Sequence, residues 1–454
     1  MGKRKNLLCL SPVLWQASIA AIAALLSIFP FSVSLAPNVF KAHAANPDAA
    51  VVSTSTREGR LAVFDDAWSA INERYYDRRF HGLDWDAQRT TFRSLAAETS
   101  SSAELYSLLR RMIASLNDPH TRVFAPEEKS DWWHPRFVSI GLAVREVEGL
   151  PTVVQVEHDS APQRAGIRAG DVIETINGRP ALSLVASRLI NSLTPTATAR
   201  FRAFATIMDG PAETSVEIRW KKKDGSEGSA QFGRHWQQRD LGLRVRREKG
   251  NYAVIEMDAF TQPIVLSFTS VLKEKLKGVR GVIIDLRGNG GGDADAMADI
   301  ASAFLGEGFS LGQFTDRSGS SFTVSTSAKS LLASEKITQS RLPLIVLTSE
   351  RTSSAAEILI TALKTSRRAT IIGTETCGCV LAIRTRHLLP DGGLLDISEL
   401  DYQTSAGTRL EGHSIKPDET VVVERNDLYS GRDRAMELAI ARLKFLRNRS
   451  APGS

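Results

Sequence analysis

GVIIDLRGNGGGDADAMADIASAF, residues 281–304, holds a strand, a glycine turn and a helix in one stretch. The apolar run from Gly281 to Asp285 is short and unbroken, as in a strand buried on both faces. Met297, Ile300 and Phe304 then recur at helical spacing. The same pattern returns downstream. Leu344 to Leu347 reads as a second strand, followed by a helix through Ala355, Ile358, Leu359 and Leu363, and Ala369 to Gly373 reads as a third strand. Strand–helix repetition from about Tyr252 to Glu424 predicts an α/β core with a mostly parallel sheet.

Upstream, from about Phe137 to Gly233, the pattern is one of short strands and turns. Ile140 to Val144 and Pro151 to Val156 flank a Glu-Gly turn. Before that, Arg60 to about Pro126 is helical in pattern, with Leu105, Leu108, Leu109, Met112, Ile113 and Leu116 on one face. Asn117-Asp118-Pro119 stops the last helix. At the far end, Arg432 to Leu446 reads as a basic amphipathic helix packed on the core.

The first residues read as a targeting segment. Lys3, Arg4 and Lys5 precede an apolar stretch from Val13 to Leu35, and Ala42-His43-Ala44 has the small-x-small form of a cleavage site. This predicts export to the periplasm or the cell exterior. An uncleaved leader would leave a membrane tether, although Pro30 interrupts the span. The net charge of +6 owes four basic residues to this leader, so the remainder is nearly neutral and offers no electrostatic reason to bind nucleic acid. Beyond Cys9 only Cys377 and Cys379 remain, too few for a disulfide scaffold or a zinc site.

Taken alone, the glycine turn Gly288 to Gly292 could hold a phosphate or turn a tight corner. It fits neither a P-loop nor a dinucleotide fingerprint. An acyl-transfer enzyme uses the same feature to gather N–H groups around an oxyanion. The flanking residues point to the last use. DLRGNGGG (285–292), TSSAAEI (352–358) and GHSIKPD (412–418) each resemble, in order, a motif of the carboxy-terminal processing (tail-specific) serine proteases. APQRAGIRAGDVIETING (161–178) resembles the PDZ domain embedded in those proteases.

The residues themselves set a signal peptide at 1–44 and a linker at 45–59; from Arg60 onward the resemblance implies a helical region at 60–136 and a PDZ domain at 137–233. A tail-specific protease core at 234–430 and a C-terminal helix and tail at 431–454 complete the order. The fold class implied is α/β: a core with a mostly parallel ββα-type sheet, an inserted PDZ domain of β-sandwich type and N-terminal helices. It places the nucleophile on Ser354, with Ser353 as the adjacent competitor. The oxyanion hole falls on Ala355 with Gly291 or Gly292, and supporting roles fall on Glu357 and Thr376. The PDZ module would add a polypeptide tail as a strand, its carboxylate held at Ile140, Gly141 and Leu142 and its last side chain in an apolar pocket. Substrates would be proteins or peptides with apolar C-termini, and neither metal nor organic cofactor is implied.

One position departs from the family. Where these proteases carry a lysine as general base, this chain has Cys379, whose side chain is too short and whose thiolate is a poor base for an alcohol. Two readings stay open. In the related tricorn core proteases the base is a histidine, supported by a glutamate. Leu116 to His120 resembles the first element and Leu410-Glu411-Gly412 the second, which implies His120 as base and Glu411 as its supporter. His413 is the reserve, and His81, His134, His158, His235 and His387 read as structural. In the other reading the core no longer cleaves and the protein binds tails only. An esterase-type acyl hydrolase on the same site is a further alternative. Cys377 and Cys379 read either as two half-buried thiols in a turn or, in an oxidising compartment, as a C-x-C disulfide.

Overall fold

The computed structural model describes residues 52–189, 197–327 and 342–450. The leader expected at 1–44, the first part of the linker and the tail at 451–454 lie outside the described residues. Helix α1 (Arg57–Arg74) begins inside the stretch expected as linker, because Thr56 caps it: its Oγ1 accepts the Gly59 N–H at 3.1 Å. Val52 donates to the Pro390 carbonyl at 2.9 Å, tying this segment to distant chain.

Helices α2 (Trp85–Glu98) and α3 (Ser102–Ala114) follow, and α3 turns Leu105, Leu108, Leu109, Met112 and Ile113 into a core shared with Leu389, Leu395 and Ile397. Strand β1 (Arg122–Phe124) pairs with residues 394–396. The helices are therefore built jointly with the C-terminal part of the chain. That pairing fixes the turn at 117–121, where Asn117 takes a φ of +52°.

The β-rich region runs through β2 (Arg136–Ser139), β3 (Leu142–Val147), β4 (Leu150–Val156), α4 (Ala161–Arg164), β5 (Val172–Ile176) and β6 (Arg179–Pro180). It continues through α5 (Ala181–Leu189), α6 (Ala197–Ala205), β7 (Ser215–Lys221), β8 (Glu227–Gly233) and β9 (His235–Gln238). Its sheet has the order β3-β4-β5-β7-β8, which leaves β3 on an edge. On β7, buried Val216, Ile218 and Trp220 alternate with exposed residues, the two-residue period of a half-buried strand. The entry strand β2 pairs with the exit strand β9, Arg136 opposite Gln238. The region is thus closed at 136 and 238, slightly outside the expected limits of 137 and 233.

The remaining elements are β10 (Leu243–Glu248), β11 (Tyr252–Met257), α7 (Gln262–Glu274), β12 (Val282–Asp285), α8 (Ala294–Leu305), β13 (Ser310–Asp316), β14 (Ser321–Ser325) and β15 (Leu344–Thr348). After them come α9 (Ala355–Thr365), β16 (Thr370–Gly373), β17 (His387–Leu388), β18 (Leu394–Asp396), β19 (Leu400–Gln403), β20 (Glu419–Thr420), α10 (Arg425–Ser430) and α11 (Arg434–Ser450).

The main sheet has the order β10-β11-β12-β15-β16-β20, parallel from β11 to β20 with β10 antiparallel on its edge. Alternate residues serve its two faces. Ala253, Ile255, Val282, Ile284, Val346 and Ile371 pack under α7, α8 and α9. Tyr252, Val254, Ile283, Ile345, Leu347 and Ile372 pack under Ala435, Met436, Ala439 and Leu443 of α11. Burial on both faces is why these strands read as unbroken apolar runs. The basic helix α11 is accordingly a covering layer. Among the described residues no helix is long and apolar enough to cross a membrane.

Candidate active site

In open parallel sheets, ligands gather outside the carboxyl ends of the strands. Here the loops leaving β12, β15 and β16 lie side by side there, because those strands are neighbours in register. They carry the glycine turn, Ser354 and the segment 376–379 respectively. Thr352 ties the three together: its Oγ1 donates to the Leu286 carbonyl at 2.8 Å, and its own carbonyl accepts the Cys377 N–H at 2.9 Å.

Ser354 stands at the entrance to α9 with φ 56° and ψ −126°, a backbone conformation that is strained for any residue but glycine. The strain is held by two acceptors for its N–H, the Cys379 carbonyl at 2.8 Å and Glu357 Oε2 at 3.1 Å. The side-chain oxygen has no hydrogen-bond partner among the described residues. Gly291 lies directly against it. A Cβ on Gly291 would fall 2.6 Å from Ser354 Cβ and 3.1 Å from its Oγ, so only glycine leaves room for the serine side chain. Ser353, the competitor, sits outside the helix entrance, with its N–H bonded to the Asn289 carbonyl at 3.2 Å.

The N–H of Ala355, the first residue of α9, has no acceptor among the described residues, and neither has that of Gly292. Both fit an oxyanion pocket at the positive end of a helix. The Gly291 N–H does not, because it donates to Asn289 Oδ1 at 2.8 Å inside the turn. Of the two glycines expected for this role, only Gly292 keeps a free donor. Asn289 is fully buried and shapes the turn, also donating from Nδ2 to the Met257 carbonyl at 3.2 Å. Sequence reasoning missed it, although an Asn accepting the N–H two residues on is the local turn pattern that Gly288-Asn289-Gly290-Gly291 carries.

Cys377 and Cys379 are joined by a disulfide, with their Cα atoms 5.2 Å apart. Two carboxylates grip the loop around it. Glu357 takes Thr376 Oγ1 (2.5 Å), Gly378 N–H (2.7 Å) and Cys379 N–H (2.9 Å). Glu411 Oε2 takes the next two N–H groups, Val380 at 2.6 Å and Leu381 at 3.0 Å. Burial pushes the Glu357 carboxyl up to about 7, against the pull of its donors. Burial also raises Glu411.

The expected His120–Glu411 relay is not assembled. No hydrogen bond joins His120 to Ser354 or to Glu411 among the described residues. Glu411 instead serves the backbone of 380–381, whose two N–H groups it accepts with one oxygen. The His120 backbone N–H bonds Asp118 Oδ1 at 2.8 Å, while ring Nδ1 is 3.9 Å from that oxygen and buried without a partner. Burial lowers the imidazole to about 4, so it is neutral at physiological pH. The charges acting on it belong to Asp118, Arg122, Arg202 and Asp396. The reserve, His413, is exposed, with Nδ1 3.0 Å from the Glu411 carbonyl.

Among the residues expected to hold a peptide carboxylate, Ile140 is buried and Leu142 starts the edge strand β3. Gly141, at φ +88°, has its N–H engaged by Ser139 Oγ at 2.9 Å. Glu157 Oε2 would lie 3.3 Å from a Cβ at 141, an acidic neighbour that disfavours a second anion. In this arrangement Gly141 is not open to a peptide carboxylate. The β-rich region meets the active-site loops directly. Thr198 Oγ1 donates to the Cys377 carbonyl at 2.5 Å, and Arg145 of β3 pairs with Glu350.

Residues 251–421 match Peptidase family S41, and residues 57–114 match the Tricorn protease C1 domain. The chloroplastic C-terminal processing peptidase of Tetradesmus obliquus is 28% identical over 367 residues, 78% of this chain and 76% of that protein. Two solved structures share the fold. A photosystem II D1 C-terminal processing protease is 24% identical, with TM-score 0.50, over 81% of this chain and 93% of that one. Mature CPAF is 13% identical, with TM-score 0.65, over 87% of this chain and 99% of that one. The chain carries both matched domains and is a serine-type peptidase.

Proposed function

We propose that this peptidase is an exported endopeptidase that cleaves proteins with extended apolar C-terminal tails, through an acyl-enzyme on Ser354. The setting of that serine carries the reading: a strained residue between β15 and α9, its hydroxyl uncommitted and pressed against Gly291. Attack forms a bond from Oγ to the substrate carbonyl carbon while the hydroxyl proton passes to a base. The oxyanion settles between the Ala355 and Gly292 N–H groups. The amine then leaves with the proton, and water hydrolyses the ester.

His120 is the base in this reading, since a neutral imidazole can accept a proton. It requires the 117–121 turn to close on Ser354 when substrate binds. Residues 137–233 act as the PDZ module, the tail adding to the edge of β3 that pairs with no strand among the described residues, beside α6. The links from Thr198 and Arg145 to the core favour delivery of that tail toward Ser354. The basic, apolar leader and the Cys377–Cys379 disulfide favour an exported protein in an oxidising compartment.

The test is cleavage of an unfolded protein with an apolar tail by wild type, Ser354→Ala, His120→Ala and Cys379→Ala. Loss of at least about a thousandfold is expected in the first two variants. Full activity in Ser354→Ala would overturn the mechanism. A second reading, tail binding without cleavage, is favoured by two observations: among the described residues no base is bonded to Ser354, and Cys379 is locked in a disulfide. Tail binding with no turnover of peptides or activated esters would establish it.

A further inference from the structure

Three guanidinium groups gather where β3 meets the loop entering α9. Two are matched. Arg145 pairs with Glu350, and its guanidinium lies 4.6 Å from the centre of the Phe201 ring. Arg239 pairs with Asp258 at 2.9 Å, and that carboxylate also takes both terminal nitrogens of Arg244, at 2.8 and 2.9 Å. The third, Arg351, stands three residues before Ser354. Its guanidinium has no hydrogen bond and no ion pair among the described residues.

Arg351 is half-buried, yet none of its nitrogen atoms is sealed in the interior. Desolvation, with Arg145 and Arg239 nearby, lowers it to about 10. A guanidinium held partly out of water beside two other cations is unfavourable unless an anion meets it. The local carboxylates, Glu350 and Asp258, already serve other arginines. Glu350 is further fixed by Thr374 Oγ1 at 2.9 Å, so it is not free to turn.

We infer that Arg351 receives a carboxylate of the bound polypeptide, from an acidic side chain or from the free chain terminus, and so selects which tails are cleaved. This rests on the peptidase reading above. A planar guanidinium grips a carboxylate with two parallel N–H···O bonds, which sets register as well as affinity. Its place, between the edge of β3 and the entrance to α9, is where a tail running from one to the other would pass.

The experiment uses the full chain and a tail peptide with apolar terminal residues. Three forms are compared: free terminus, amidated terminus, and a single glutamate near the cleaved bond exchanged for glutamine. Wild type is expected to prefer one carboxylate form over its neutral counterpart about tenfold or more in kcat/KM. Arg351→Gln should bring that ratio close to one, and Arg351→Lys should keep part of it. Collapse with the amidated pair assigns the chain terminus; collapse with the glutamate pair assigns a side chain. A ratio near one in wild type, or one unchanged in Arg351→Gln, overturns the inference. Binding of the same peptides to Ser354→Ala, with and without Arg351→Gln, separates the two claims. Carboxylate-selective binding that needs Arg351, without cleavage by wild type, would sustain this site and sink the peptidase reading.

Discussion

The Ser354 N–H donates to the Cys379 carbonyl at 2.8 Å, so the proposed nucleophile is joined through main chain to the residue expected at the lysine position. Cys379 therefore retains a place at the active site, as a support for the serine's strained backbone. Four successive N–H groups, 378 to 381, are held by just two carboxylates, Glu357 and Glu411. These bonds hold the loop that in turn accepts the Ser354 N–H.

Gly291→Ala is expected to lower peptidase activity at least about a hundredfold while the chain stays folded. The new Cβ would sit 2.6 Å from Ser354 Cβ, and alanine is strained at φ +99°. Peptide cleavage and a thermal melt, run together, check this. Normal turnover would mean that the turn does not adjoin the reacting oxygen.

Glu357 links stability to pH. Its folded-state value of about 7 exceeds the ordinary 4.5, so between them the folded chain holds a proton that the unfolded chain has lost. Its contribution is full below 4.5 and declines as pH rises through 7, by about 3 kcal/mol in all. Glu357→Gln should flatten that part of the stability curve and lower stability overall, since an amide cannot accept from all four donors. Denaturant melts from pH 4 to 8 are the measurement. An identical slope in the variant would rule out this carboxyl as its source.

His120 is lowered from 6.5 to about 4, so it is neutral over nearly the whole working range. If it accepts the serine proton, the acid limb of kcat/KM should lie near 4 rather than 6.5. The same depression means that its share of stability is present above 6.5 and is lost as pH falls toward 4. His120→Gln should cost at least about a hundredfold in activity. A limb near 6.5 that survives in this variant would assign the base elsewhere.

Peptide mapping of the protein purified without reductant is expected to find Cys377 and Cys379 linked to each other. Reduction by a dithiol should then lower activity severalfold, because the bond closes the loop whose carbonyl holds the Ser354 N–H. Two free thiols, or full activity after complete reduction, would contradict this.

Period and motif together were enough to place β12, β15 and β16, because strands buried on both faces must be apolar throughout. The order of the chemistry-bearing segments was legible for the same reason: a glycine run and a serine before a helical pattern mark turns at strand ends. What residues far apart in the chain do to each other was not. That Thr352 bonds the Leu286 carbonyl, that Glu411 serves the 380–381 backbone rather than His120, and that Arg351 meets no carboxylate among the described residues all depend on which loops lie side by side. A chain's local preferences fix its strands and helices, since those arise from neighbours in sequence. Hydrogen-bond and charge partners arise from neighbours in space, and only the packed sheet brings those together.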